Sequence, residues 1–208
     1  MTSSASMPTI AWDVDDVLND LTFVWFNEDW LPAHPQCAVG WEQLTENPCH
    51  ETLGISLEAY LQALDRFRDS DMFPALSPRA EIASWFVEHG PRWHHFALTA
   101  VPRRAAHRSA AWVFEHFGDW IRGLHFVPSR RATERAPRYD ESKAAYLQRI
   151  GPVNLFIDDN EQTVAAVKAL GIRTLLFPRP WNGMRQESIG QFVRDLTAIT
   201  REAAQEER

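Results

Sequence analysis

The chain has few cysteines, no long apolar run and no surplus of positive charge, and each absence excludes something. Two cysteines among 208 residues, Cys37 and Cys49, make no disulfide framework and fit reduced thiols. With His34 and His50 they offer zinc-type ligands, but their spacing matches no tight ligand pattern. No stretch approaches the ~20 apolar residues that span a bilayer. The N-terminal MTSSASMP lacks the basic-then-apolar pattern of a signal peptide. The expectation is therefore a cytoplasmic protein with no membrane partner. A net charge of −7 argues against a nucleic-acid polymer as partner, because such binding needs basic patches that neutralise phosphates. There is no internal repeat and no low-complexity tract.

What is present is apolar and aromatic. Hydrophobic residues make up 45% and charged residues 24%, the balance of a folded globular domain. Nine Trp and twelve Phe supply large apolar area, most of it for cores, with some rings left to line a pocket. Residues 9–14 read as a buried strand. From about residue 76, strand and helix signals alternate. Ser77-Pro78 resembles a helix cap followed by a first-turn proline, and Gly90 closes that helix. Strands are predicted over 93–98, 124–127, 153–157 and 172–177, with helices over 103–117, 141–150, 161–170 and from about 188. Such alternation predicts an α/β fold, a Rossmann-like parallel sheet covered by helices on both faces. Residues 19–75 break the rhythm with Trp-rich apolar segments at 21–31 and 57–67. The chain thus divides into a core, 1–18 and 76–208, and a small helical insert after the first strand, 19–75. Residues 128–140 read as an exposed loop.

Three predicted strands end in polar residues. The first is followed by Asp13, Asp15 and Asp16, the second by Thr99, and the fourth by Asp158 and Asp159. In open α/β sheets, sites form just outside the carboxyl ends of the strands, so these groups can meet at one edge. Five carboxylates there repel unless something neutralises them. A hard divalent cation such as Mg²⁺ does so with oxygen ligands, and Lys143 before the Asp158 strand adds a second positive charge. Each residue alone has a plainer reading. An Asp after a strand is often a cap or turn residue, Thr99 says little, and a single lysine is usually solvated. The weight lies in the combination and its order.

That combination resembles the haloacid dehalogenase-like (HAD) superfamily. DVDDV is similar to its D-x-D-x-[TV] signature, FALTA to its second motif, Lys143 in DESKAAYL to its third, and LFIDDN to its paired acids. The four motifs span residues 10–160 in the family's order. The resemblance implies a HAD-like core with a helical cap inserted where the rhythm breaks. It implies Asp13 as nucleophile, Asp15 as acid and base, Thr99 as a donor to the phosphoryl group and Lys143 as its countercharge. It also implies Mg²⁺ held by Asp13, by the main-chain carbonyl of Asp15 and by Asp158 or Asp159, either of which fits. LTAVP, FIDDN and FPRPWN further resemble segments of the 5′(3′)-deoxyribonucleotidase group. Two departures stand out. Asp16 occupies a position that is often Gly in the superfamily, and Ala100 replaces a hydroxyl in the turn after Thr99.

The implied activity is a Mg²⁺-dependent phosphatase acting on a small phosphorylated substrate through an aspartyl-phosphate, with a nucleoside monophosphate as one candidate. A phosphatase of sugar phosphates or other metabolites is the alternative. A binding module without turnover is a third reading, which the retention of Asp13, Asp15, Thr99, Lys143 and Asp158 together opposes. Substrate contacts are expected near Ala100 and Arg103, the latter close behind Thr99. In the insert, Trp25 and Trp41 offer rings for a base, with Phe23, Phe26 and Trp30 beside them, although aromatics at helical spacing more often form core. Arg130, Arg131, Arg135 and Arg138 make a basic run in the loop before Lys143. His94 and His95 lie inside a strand and read as structural. The sequence does not specify the oligomeric state.

Overall fold

The structure is a computed structural model that describes residues 7–127, 129, 131, 137 and 139–206. Five parallel strands form one sheet: β1 (Thr9–Trp12), β2 (His94–Thr99), β3 (Ile121–Phe126), β4 (Leu155–Asp158) and β5 (Arg173–Leu176). Their spatial order is β3-β2-β1-β4-β5, so β1 is central. Trp12 stands opposite Ala97 on one side and Ile157 on the other. This register brings the ends of β2 and β4 beside the residue that follows β1. The inner strands β1 and β4 are covered on both faces, which is why they read as continuous apolar runs.

Helices α4 (Ala80–His89), α5 (Ala106–Phe117), α6 (Lys143–Ile150), α7 (Glu161–Lys168) and α8 (Ile189–Glu206) flank the sheet. Between β1 and α4, residues 21–33 form α1 (Leu21–Val24), a π-helical turn (Trp25–Trp30) and α2 (Leu31–Ala33). A short 3-10 turn (Trp41–Gln43) and α3 (Leu57–Asp69), capped by Ser56, follow. The predicted α/β class and the helical character of 19–75 are therefore present. One hydrophobic cluster joins sheet and segment: Ile10 and Trp12 belong with Trp25, Phe26, Tyr60 and Phe67. No described helix is long and apolar enough to cross a membrane.

Two boundaries differ from expectation. The helix expected at Ser77-Pro78 starts at Ala80, because the backbone N–H of Arg79 is bonded to the Leu18 carbonyl (2.9 Å) and the Arg79 guanidinium pairs with Asp20. Strand β3 begins at Ile121 rather than Leu124. Arg122 and Gly123 break its apolar pattern, which an edge strand with one exposed side tolerates. Of the loop expected over 128–140, most positions lie outside the described residues.

His95 is structural, as expected. The Trp12 indole N–H donates to its Nδ1 (3.0 Å), so its Nε2 carries the proton and donates to the Gly90 carbonyl (2.9 Å). Burial lowers its pKa to about 4, because a second proton on the ring has no acceptor there. The unfolded chain takes up a proton between about pH 6.5 and 4 that the folded chain refuses, so stability falls as pH drops through this window. The loss is on the order of 3 kcal/mol at one pKa unit per ~1.4 kcal/mol. Unfolding free energies of wild type and His95→Gln across this range check it. A variant profile as steep as wild type contradicts the assignment.

Candidate active site at the carboxyl edge of the sheet

Asp13 continues β1 by one residue, and its N–H donates to the Ile157 carbonyl (2.9 Å). Its Oδ1 accepts from the Val14 N–H (2.7 Å) and from Lys143 Nζ (2.6 Å). The same ammonium lies 2.7 Å from Asp158 Oδ2. Lys143 occupies the first position of α6, behind the Ser142 cap, where a helix favours anions over cations. Its placement serves the carboxylates rather than the helix, and it is buried, not solvated.

Asp13, Asp158 and Asp159 form a buried group, with one oxygen from each within 4.8 Å of the others. Among the described residues it is the one cluster of potential metal ligands. Burial works against the charge on Lys143, but Asp13 and Asp158 outweigh it and hold the ammonium protonated. The acids are pushed the other way. Burial, reinforced by Asp158 and Asp159 and opposed by Lys143, raises Asp13 well above the usual carboxylate range. Burial and the charges of Asp158 and Asp16 raise Asp159 to about 7. With all three acids ionised, one ammonium leaves two negative charges uncompensated, the charge that one divalent oxygen-seeking cation supplies. The donor set thus fits Mg²⁺.

Asp15 points elsewhere. Its carboxylate accepts from Arg68 on α3 (3.0 Å) and from Asn19 Nδ2 (3.4 Å), outside the three-acid group. The Asp15 side chain is therefore not among the acids whose oxygens converge. Arg68 is also 3.6 Å from Asp65, and Asp65 receives Arg104 (2.8 Å) and Arg131 (2.7 and 2.9 Å). Asp65 so ties α3 to the loops after β2 and β3.

Asp16 has the left-handed conformation, φ 66°, the one non-glycine residue to do so among those described. Glycine is favoured there because a Cβ costs roughly 1–2 kcal/mol in this conformation. Asp16 offsets the cost with its own bonds. Its carboxylate accepts from the Thr22 N–H (2.9 Å) and hydroxyl, and its N–H donates to Asn19 Oδ1 (3.1 Å). Its carbonyl accepts from Arg179 Nε (2.7 Å), and the same guanidinium lies 3.6 Å from its carboxylate. Asp16 is thus the hub of the loop that carries Asp13 and Asp15.

A cavity of about 490 Å³ opens above these groups. Asp13, Asp15, Thr99, Ala100, Lys143, Asp158 and Asp159 line one side, and Tyr60, Leu61, Leu64 and Arg68 of α3 line another. Thr99, the last residue of β2, is buried there. Three expected substrate contacts are not in the lining. Trp25 is wholly buried against Trp30 and Tyr60, and Trp41 packs edge-on to Phe23 and Trp181. Trp25, Phe26 and Trp30 are core, Phe23 is exposed, and Trp41 is partly buried in the separate 3-10 turn. Arg103 is exposed on the 3-10 turn Arg103–Ala105, away from the cavity. Of the basic run, Arg131 lines the cavity, while Arg130, Arg135 and Arg138 lie outside the described residues. Cys37 and Cys49 are free thiols, His34 stacks on Trp30, and burial pushes the Cys49 thiol up to about 11.

Sequence reasoning missed Arg68, Asp65, Arg179 and Trp181. The first two carried a signal, since they are charged residues on the same helical face as Tyr60, Leu61 and Leu64. Arg179 and Trp181 lie in the FPRPWN segment noted in the sequence, which assigned neither of them a role.

No protein-family model matches the chain, and no curated protein matches it in sequence. Solved structures do. A haloacid dehalogenase-like family hydrolase from Streptococcus pneumoniae aligns with a TM-score of 0.55 at 13% identity, over 82% of this chain and 84% of that one. A haloacid dehalogenase-like family hydrolase from Xanthomonas campestris aligns with a TM-score of 0.50 at 11% identity, over 96% and 98%. A protein described as a HAD-hydrolase from Bacillus subtilis, in a structure bound to magnesium, aligns with a TM-score of 0.50 at 10% identity, over 82% and 86%. At such identities the likeness is one of architecture: the chain has the HAD-like, Rossmann-type α/β fold.

Proposed function

We propose that the protein is a phosphatase that hydrolyses a small phosphomonoester through an aspartyl-phosphate on Asp13, with Mg²⁺ as cofactor. The observation that carries this reading is the position of Asp13. It stands at the centre of the sheet edge, bonded to a buried lysine, grouped with two further acids and open to the cavity. Oδ1 of Asp13 is engaged by Val14 and Lys143, which leaves Oδ2 for attack on phosphorus.

As the bond from Asp13 to phosphorus forms, the ester bond breaks, and the leaving oxygen takes a proton from Asp15. Asp15 then accepts a proton from the water that attacks the aspartyl-phosphate. Inorganic phosphate leaves and the Asp13 carboxylate is restored. Phosphoryl transfer gathers charge on the equatorial oxygens, so countercharge and positioning dominate catalysis. Lys143 supplies the fixed positive charge, and the Thr99 hydroxyl donates to a phosphoryl oxygen. When bound, Mg²⁺ adds positive charge at the same oxygens. Asp13, Asp158 and Asp159 would hold it, with the carbonyl of Asp15. The magnesium in the related B. subtilis structure supports this choice of ion.

Because Trp25 and Trp41 do not line the cavity, no stacking ring from that stripe favours a nucleobase over another leaving group. The experiment is phosphate release from a panel of nucleoside monophosphates, sugar phosphates and small alkyl phosphates, with Mg²⁺ and with EDTA. Release from at least one substrate, lost on chelation, is the expected outcome. No release from any substrate leaves a binding module, and release that EDTA does not touch removes the cation.

A further inference from the structure

The segment after β5, Phe177–Asn182, reaches both acidic loops. Arg179 grips the first through the carbonyls of Asp16 and Asn19 (2.7 and 3.2 Å) and the carboxylate of Asp20 (3.0 Å). Two residues later the Trp181 indole N–H donates to Asp159 Oδ2 (2.7 Å). The Asn182 side-chain amide donates to the carbonyls of Asp159 and Phe177, both at 2.8 Å, and its Oδ1 accepts from the Arg179 N–H (3.3 Å). The Phe177 N–H closes the set on the Asp158 carbonyl (2.9 Å). Arg179 and Asn182 are buried, so these bonds are shielded from water.

We propose that Phe177–Asn182 is a positioning element, in which Trp181 fixes the Asp159 carboxylate in the orientation that lets it hold the cation with Asp13. The proposal rests on the reading of Asp13, Asp158 and Asp159 as a cation site. The two paired acids differ in how their oxygens are engaged. Asp158 gives one oxygen to Lys143 (2.7 Å) and the other to the Asn160 N–H (2.8 Å). For Asp159, the Trp181 indole takes one oxygen and sets the plane in which the other is presented. A neutral donor suits this task. It orients the carboxylate without cancelling its charge, whereas a lysine or arginine in its place would compete with the cation. Arg179, from the same short segment, holds the loop that carries Asp13, so one piece of chain sets the spacing between the two acids.

The test is titration of the whole protein with Mn²⁺, following the EPR signal of the free ion. In Trp181→Phe the dissociation constant rises about tenfold or more, the range seen when an outer partner of a metal ligand is lost. The cation-free variant melts within a few degrees of wild type. Replacing Trp181 by 3-benzothienylalanine exchanges only the ring N–H for sulfur. It gives the same loss of affinity and covers a Phe variant that fails to fold. Combining Trp181→Phe with Asp159→Asn adds no further loss, because the indole acts through that carboxylate. Wild-type Mn²⁺ affinity in the sulfur isostere overturns the positioning role while leaving the phosphatase reading in place. A wild-type protein that neither binds Mn²⁺ nor releases phosphate overturns both.

Discussion

Asp13→Asn is expected to lower phosphate release by more than about a thousandfold, since removing a nucleophile leaves only binding and charge stabilisation. The change is close to isosteric. The amide oxygen can still accept from Val14 and Lys143, so the loop keeps its two bonds. What is lost is the second oxygen as a nucleophile. Stability should not fall, because the substitution removes a buried charge that its surroundings already push toward neutrality. Steady-state kinetics on the best substrate of the panel, with thermal melts of both proteins, check the two halves together. A folded Asp13→Asn protein that keeps its turnover places the nucleophile elsewhere.

Lys143→Met carries the largest expected effect on stability. Lys143 is buried between Asp13 and Asp158, at 2.6 and 2.7 Å. Its removal leaves a buried acidic cluster with no countercharge, and breaking such a pair costs about 3–5 kcal/mol. For a chain of this size the melting temperature should drop by roughly 6–20 °C. The deficit has a pH dependence of known sign. Asp13 is raised well above the usual range and Asp159 to about 7, so both folded-state values lie above those of the unfolded chain. Between the unfolded and folded pKa values the folded state binds more protons, so acidification stabilises it. Lys143 lowers both values, so its loss raises them further, the variant takes up more protons than wild type on acidification, and the gap between the two should narrow from pH 7.5 to 5.5 in EDTA. Denaturant unfolding at the two pH values measures it. Equal stability at pH 7.5 means that Lys143 does not neutralise this cluster. Mg²⁺ should raise the melting temperature of both proteins more at the higher pH, where protons no longer compete for the carboxylates.

Much of the site was legible because its parts sit at fixed places relative to strands. Asp13, Thr99 and Asp158 end or follow β1, β2 and β4, and parallel strands in register deliver their ends to one edge. The inner strands announced themselves as apolar runs, whereas β3 was shortened in the reading because an edge strand tolerates Arg122 and Gly123. Asp16 marked itself as unusual by standing where glycine is common, and its φ of 66° shows that the backbone requirement persists without the glycine. Trp25 and Trp41, expected to offer rings to a substrate, pack against other rings outside the cavity lining, because composition does not tell a ring that packs inward from one that lines a cavity.

The sequence by itself determined the parallel α/β sheet, the helical character of 19–75 and the acids, threonine and lysine at the sheet edge. These follow from local periodicity and from residues that touch the strand ends directly. The tertiary structure alone decided which distant partners Asp15, Asp16 and Asp159 take. Asp15 faces Arg68, 53 residues away, and Asp16 is held by Arg179, 163 residues away. Asp159 is held by Trp181, 22 residues away. Such partners are chosen by packing between elements, and no local pattern along the chain records that choice.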